Sequence, residues 1–225
     1  GQARRLCFAP VLTMAGLARQ EQLHTRNFFV EVSHPRAGKL THLGQPYLLH
    51  DPWWQIRRPA PLLGEHNSEV SSSEFQVSSS QPLTPNPQPP TPSPRPLEGV
   101  RGADFSWVWA GPYCTMHLAY LGAEVIKIES RAHLDLMRRL PIAPRGIKPG
   151  IDTSGPFNQW NQGKKSLQLN LGKVEGKALV KELIQQCDIV IENFATGVMD
   201  ELGLGYDELK KLKPDLIMVS ISGYG

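Results

Sequence analysis

Four short stretches between residues 97 and 225 combine side chains and backbone suited to holding an anionic ligand. Val108-Trp109-Ala110-Gly111-Pro112 follows an apolar run; Gly111 lets backbone approach a ligand closely, and Pro112 suits a first helical turn. Glu129-Ser130-Arg131 closes an alternating β-branched run and ends on a cation. Asn161-Gln162-Gly163-Lys164-Lys165-Ser166 places two ammonium groups ahead of a strand, where Lys164 can meet a phosphate as a point charge. In Glu192-Asn193-Phe194-Ala195-Thr196-Gly197, Asn193 offers an amide to polar groups and Phe194 an apolar face. Taken singly, these read equally well as a helix start, a surface arginine, a solvated lysine edge and an ordinary turn.

The elements around them decide whether such loops can converge. Val100 to Phe105 reads as a strand, Pro112 to Leu121 as a helix, and Ala123 to Glu129 as an alternating strand. Residues 130–157 are Pro/Gly-rich and read as irregular. Ser166 to Leu169 is a further strand, and Lys173 to Gln186 a helix with Val174, Ala178, Leu179, Leu183 and Ile184 on one face. Asp188 to Glu192 and Leu216 to Ile221 read as buried strands, separated by short helices at Gly197 to Leu202 and Tyr206 to Leu212. Strand–helix alternation with continuous apolar strands predicts an α/β fold, a partial Rossmann-like parallel sheet covered by helices. In such sheets ligands bind beyond the carboxyl ends of strands, where all four loops fall.

Residues 1–70 are less regular. Leu12 to Leu23 predicts a helix, Phe28 to Val32 a strand, and His34 to Gly38 a turn. Pro52 to Pro61 reads as an extended arm bearing Trp53 and Trp54, with few ways to bury its aromatics alone. Between this segment and the alternating part lie residues 71–96, where eight of the fifteen residues from Pro82 to Pro96 are proline. A Ser-rich half followed by a Pro-rich half predicts a spacer rather than a folded unit, because folded-looking sequence flanks it on both sides. The organisation expected is therefore 1–70, linker 71–96, and 97–225.

Composition narrows the classes. The net charge is +3, and residues 97–225 balance 15 Lys/Arg against 15 Asp/Glu, with no basic block to track a phosphate backbone, which argues against nucleic acid as a partner. Cys7, Cys114 and Cys187 are too few and scattered for a disulfide framework or a metal site, and read as small apolar residues of a reducing, cytoplasmic compartment. No apolar run approaches the roughly 20 residues that span a bilayer. The opening Gly1-Gln2-Ala3-Arg4-Arg5 lacks the pattern of a signal peptide and reads as continued from a longer chain.

Taken in order, P-L-E-G-V-R, V-W-A-G-P-Y-C-T-M-H-L-A-Y-L-G-A-E-V-I-K-I-E, N-Q-G-K-K-S-L-Q-L-N-L, V-I-E-N-F-A-T-G-V-M-D-E-L-G-L-G-Y and L-I-M-V-S-I-S-G-Y-G closely resemble the amino-terminal half of family III CoA-transferases, the CaiB/BaiF and formyl-CoA transferase type. F-F-V-E-V-S-H-P-R-A-G and R-R-P-A-P-L-L-G-E-H-N-S-E-V resemble the closing segment of the same family. The resemblance implies the tail of one copy, a linker, and the front half of another. It implies coenzyme A as the ligand, bound as acyl-CoA without a metal, and contacts from Val108, Trp109, Ala110, Arg131, Asn161, Lys164, Asn193 and Phe194. One departure stands out: Ser130 occupies the column where the family has Arg, and Arg131 is shifted by one.

The family moves CoA between an acyl-CoA and a carboxylic acid through an aspartyl-CoA intermediate, splitting one hard transfer into easier covalent steps. Asp104, Asp135, Asp188, Asp200 and Asp207 fall outside the nucleophile's column, which lies past Gly225, and are expected to be structural or exposed. No catalytic residue is assigned, and His66 is expected to be a packing or surface residue. The resemblance also implies a homodimer or a tandem-domain partner. An α-methylacyl-CoA racemase of the same family and a non-catalytic CoA- or partner-binding module remain as alternatives.

Overall fold

The computed structural model describes residues 10–50, 53–71 and 95–223. The alternating pattern folds as expected into a mixed α/β body around five parallel strands: β3 (Arg101–Asp104), β4 (Glu124–Glu129), β5 (Lys165–Gln168), β6 (Ile189–Glu192) and β7 (Ile217–Ser220). They lie side by side in the order β5-β4-β3-β6-β7, which is 3-2-1-4-5 counting these five alone, the doubly wound order. The chain leaves β3 toward β4 on one side and later returns to β6 on the other, so the strand order reverses at β3. Between strands run α4 (Ala110–Tyr120), a 3₁₀ turn (Leu136–Arg139), α5 (Gly155–Trp160), α6 (Val174–Ile184), α7 (Val198–Glu201) and α8 (Tyr206–Leu212).

β3, β4 and β6 are largely buried, whereas β7, read as a buried strand, is exposed at Ile217 and Ser220 because it lies at the sheet edge. Ala103, Phe105, Ile126, Ile128, Leu167 and Val190 form the centre of the core. The face of α6 differs from the one read from spacing. Gly176, Val180, Leu183 and Ile184 are buried, whereas Val174 is 81% and Leu179 50% exposed. The buried set steps by 3 or 4 residues and leads into buried Cys187, a narrower stripe that satisfies the same period. Burying Val180, Leu183 and Ile184 contributes about 1.5–3 kcal/mol each. Residues 130–157 are less irregular than expected, because they hold the 3₁₀ turn and the start of α5.

The leading segment holds α1 (Met14–Leu17), α2 (Glu21–Thr25), the antiparallel hairpin β1 (Phe29–His34) with β2 (Gly38–Leu43), and α3 (Asn67–Ser71). The single helix expected over Leu12 to Leu23 is two short ones. Neither has a buried residue, so no tertiary packing sustains a longer helix. The turn at His34 to Gly38 forms as read: Nδ1 of His34 accepts the amides of Arg36 (3.1 Å) and Ala37 (2.9 Å), and Gly38 takes φ of +74°.

This segment lies against the body. Trp54 is buried 4.4 Å from the Tyr120 ring and touches Met116, while Arg57 donates to the carbonyls of Ala119 (3.0 Å) and Tyr120 (2.9 Å). Phe28 instead meets Phe29 edge to face, and Phe29 in turn lies against His24. Residues 64–67 cover the outer edge of β5. The amide of His66 donates to the Ser166 carbonyl (3.1 Å), the amide of Ser166 donates to His66 Nδ1 (3.1 Å), and the amide of Gln168 donates to Asn67 Oδ1 (2.8 Å). The packing role expected of His66 is thus observed. The opposite edge, β7, pairs with no further strand among the described residues, and Ile217 on it is 57% exposed. Most of the predicted spacer, residues 72–94, lies outside the described residues; α3 extends one residue into the 71–96 interval.

Candidate functional site

The loops after β3 and β6 meet where the strand order reverses. Ser106, Trp107 and Val108 leave β3, and each has its backbone held by a side chain from another element. Ser106 donates its amide to Asp104 Oδ1 (2.9 Å), and its carbonyl accepts from Lys127 Nζ (2.6 Å). Asn193, one residue past β6, takes both backbone groups of Trp107: Oδ1 accepts the amide at 2.7 Å and Nδ2 donates to the carbonyl at 2.8 Å. Val108 adopts φ of +72°, and its amide donates to Asp135 Oδ1 at 3.1 Å. Helix α4 then starts at once. Gly111 is required there, since a Cβ would sit 2.1 Å from the Ser106 Cβ.

Beneath these loops lies a row of buried charges. Asp104 Oδ2 faces Lys164 Nζ at 2.8 Å and accepts from Thr115 Oγ1 at 2.8 Å; Lys127 faces Asp135 at 3.1 Å; Arg138 faces Glu129 at 2.9 Å and Asp152 at 2.8 Å. Burial opposes charge on Asp104, but the Lys164 and Lys127 ammonium groups outweigh it and hold the carboxyl at about 2. At Lys164 burial wins over Asp104 and lowers the ammonium to about 8. At Lys127 burial is outweighed by Asp135, Asp104 and Glu129, and its pKa is raised. All three groups are therefore ionised at neutral pH. Charges this deep persist only when paired, and these pairs fix the loop ends.

A cavity of about 360 Å³ opens at the carboxyl ends of four strands. Phe105 and Trp107 line it after β3, Ile128 and Ser130 at β4, Leu169 after β5, and Phe194 after β6. The rings of Trp107 and Phe194 meet edge to face at 5.4 Å. Among the described residues no lysine or arginine lines this cavity; Glu129 and His133 are the ionisable side chains on its mostly apolar wall, which suits a flat, weakly polar moiety rather than a phosphate. The exposed Arg131 adjoins the lining residue Ser130.

Among residues singled out from the sequence, Phe194 lines the cavity, and Asn193 and Val108 shape the loop beside it. Trp109 is 62% exposed as the residue capping α4, 6.5 Å from the Trp160 ring, and Ala110 is exposed as that helix begins. Lys164 differs from expectation. Its ammonium is fully buried, donating to Asp104 Oδ2, to Asn161 Oδ1 (2.8 Å) and to the Pro112 carbonyl (3.1 Å). Asn161 is buried with it and donates to the Phe157 carbonyl (3.1 Å). Lys165 faces Glu69 (3.1 Å) and Glu124 (2.7 Å). Both ammonium groups are thus engaged by protein groups; the motif reads as a tie between α4 and β3 rather than an open phosphate cradle. Trp107, Phe105 and Leu169 were not singled out, although each stands at or just past the end of a predicted strand, which was the available signal. Asp135 and Lys127 were missed as loop anchors because a buried ion pair leaves no periodic trace.

The family profile described as CoA-transferase family III matches residues 1–67 and 97–225. The chain belongs to CoA-transferase family III. It is 42% identical over 131 residues to a succinyl-CoA:glutarate CoA-transferase of Mus musculus, covering 58% of this chain and 29% of that protein. It is 39% identical over 130 residues to a formyl-CoA:oxalate CoA-transferase of Afipia carboxidovorans, covering 57% and 29%. A CaiB/BaiF family protein from Brucella suis superposes on 59% of this chain and 35% of its own with a TM-score of 0.53 at 36% identity. The chain therefore spans about a third of the length of the relatives it matches. Among the described residues, no helix is long and apolar enough to cross a membrane, and no group of three or more His, Cys, Asp or Glu side chains could hold a metal ion.

Proposed function

We propose that residues 97–225 are the CoA-binding half of a CoA-transferase that moves CoA between an acyl-CoA and a carboxylic acid. The cavity at the strand-order reversal carries this reading. Its Trp107 and Phe194 rings and the apolar ends of β4 and β5 offer a slot for the adenine end of the nucleotide. Arg131, exposed beside Ser130, is the candidate for meeting its phosphates, with Trp109 and Ala110 nearer the acyl end. The match of residues 1–67 and 97–225 to one family supports reading both segments as parts of that family, and the order of their motifs makes them a tail segment and a front half joined through residues 71–96.

The five aspartates set outside the nucleophile's column are structural or exposed. Asp104 and Asp135 are buried in ion pairs, Asp188 accepts the Arg101 amide (2.8 Å), and Asp200 and Asp207 sit exposed on α7 and α8. In the transfer the family resemblance implies, a carboxylate attacks the acyl-CoA thioester, expelling the CoA thiolate and forming a mixed anhydride; the thiolate then attacks the enzyme's carbonyl, releasing the donor acid and leaving an enzyme-bound thioester. This chain supplies binding and orientation for CoA, and no residue of it is assigned that attack.

Calorimetric titration of the chain with CoA, beside an exchange assay with succinyl-CoA and a set of carboxylic acids, tests the reading. Saturable CoA binding, about 10-fold weaker in Phe194→Ala, without enzyme-dependent exchange is the expected result. Absence of CoA binding by the folded chain would overturn it.

A further inference from the structure

Val108 is the one β-branched residue with a left-handed backbone among the described residues; the other non-glycine at positive φ is Asn27. A β-branched side chain disfavours that conformation, which persists only where its surroundings over-determine it. Here they do. The residue before it is fixed through both backbone groups by Asn193, and the carbonyl before that by Lys127. The amide of Val108 itself is taken by Asp135, whose carboxylate is in turn set by Lys127 (3.1 Å) and by the Met137 amide (2.9 Å). The Val108 side chain packs with Ala60, Met137 and Phe157, so it is retained for contact while its backbone is turned. The consequence falls on Trp107, which stands between the Asn193 clamp and the turn and forms a wall of the cavity against Phe194.

We infer that Asp135 is a positioning residue of the ligand site: by holding Val108 in its left-handed turn, it fixes the Trp107 wall. The inference rests on the proposed CoA-binding role of the cavity. The Asp135 carboxylate acts on the cavity wall through the Val108 amide and Trp107, and this route separates it from a residue that merely stabilises the fold. Glycine adopts positive φ without steric cost, so a chain with Val108→Gly has less need of the carboxylate.

The test is a double-mutant cycle on CoA affinity by calorimetry, with urea midpoints measured in parallel. Asp135→Asn is expected to weaken CoA binding about 10-fold in the Val108 background and less than about 3-fold in the Val108→Gly background. Equal losses in both backgrounds would make Asp135 a structural residue only and overturn the inference. If Asp135→Asn does not fold, Val108→Pro decides, because proline forbids the left-handed turn and removes the amide. Folded Val108→Pro should lose CoA binding, and wild-type affinity in it would overturn the inference. A wild-type chain that fails to bind CoA removes the functional reading and this inference together, whereas a binding chain with an uncoupled cycle removes the inference alone.

Discussion

Residues 97–223 and residues 10–71 are both built around buried polar groups, but the groups differ in kind. In the body, carboxylates face ammonium and guanidinium groups: Asp104 with Lys164, Asp135 with Lys127, Glu129 with Arg138. In the leading segment the buried polar side chains include three imidazoles, His34, His42 and His66, and two of them accept backbone amides. Ion pairs of the first sort tolerate no missing partner. Imidazoles of the second sort are held neutral and are sensitive to acid. The body is therefore expected to fail by mutation, and the seam between the two regions by protonation.

The largest effect should come from breaking a pair in the body. Lys164→Ala leaves Asp104 buried without its nearest cation, and the expected loss is about 3–5 kcal/mol in urea unfolding followed by circular dichroism. A loss below about 1 kcal/mol would show that Lys127 alone suffices for Asp104, and the contrast would weaken. Trp54→Ala should come next, costing about 3 kcal/mol of docking, because it empties the contact with Met116 and Tyr120. Here the cost should fall on the leading segment alone, with protease cleavage appearing in residues 10–71 while the body keeps its urea midpoint. Simultaneous loss of both regions would show that they unfold as one unit.

The smallest expected effect is on pH, and it discriminates most sharply. Burial lowers the pKa of His34, His42 and His66 below the ordinary 6.5. Asp152 and Glu65 oppose this at His34, while Arg138 adds to it. At His42 the Gln159 hydrogen bond opposes it and His34 adds to it. At His66, Glu65 and Glu69 oppose it, and Arg58 and Lys165 reinforce it. At His66 the Ser166 amide donates to Nδ1, so the neutral ring carries its proton on Nε2, which lies 3.2 Å from the Arg58 guanidinium. Above pH 6.5 the docked and undocked forms are both neutral, and docking is at full strength. As pH falls below 6.5 the undocked segment takes up protons that the docked one refuses, so docking weakens steadily with acidification. Asp104, held at about 2, keeps the body's charge pattern unchanged over this range. Tryptophan emission should shift to the red between about pH 7 and 5 while far-ultraviolet dichroism stays constant, and a flat emission profile would remove the contrast.

The two regions also differ in how much of them the sequence discloses. Every strand of the body was legible, because runs such as Val125-Ile126-Lys127-Ile128 are buried in a parallel sheet and their apolar character is local. The loops beyond β3 and β6 follow from strand position in the same way. Lys164 was misread because the same residue type serves a solvent-facing phosphate and a buried carboxylate, and only the sheet's closure brings Asp104 to it. The face of α6 was misread at Val174 and Leu179 because its apolar positions offer more than one stripe, and neighbours select between them. β2 and α3 carry no strong period at all. They exist through pairing with β1 and β5, which is information held at a distance.

The edge of β5 is covered by the imidazole, amide and backbone of residues 64–67, whereas no strand among the described residues pairs with the outer edge of β7, where Ile217 is half-exposed. A strand with bare backbone groups is a template for another strand, and a covered one is not. Association of this chain at high concentration should therefore be directional, growing from the β7 side, and a lysine at position 217 should suppress it without touching the opposite edge.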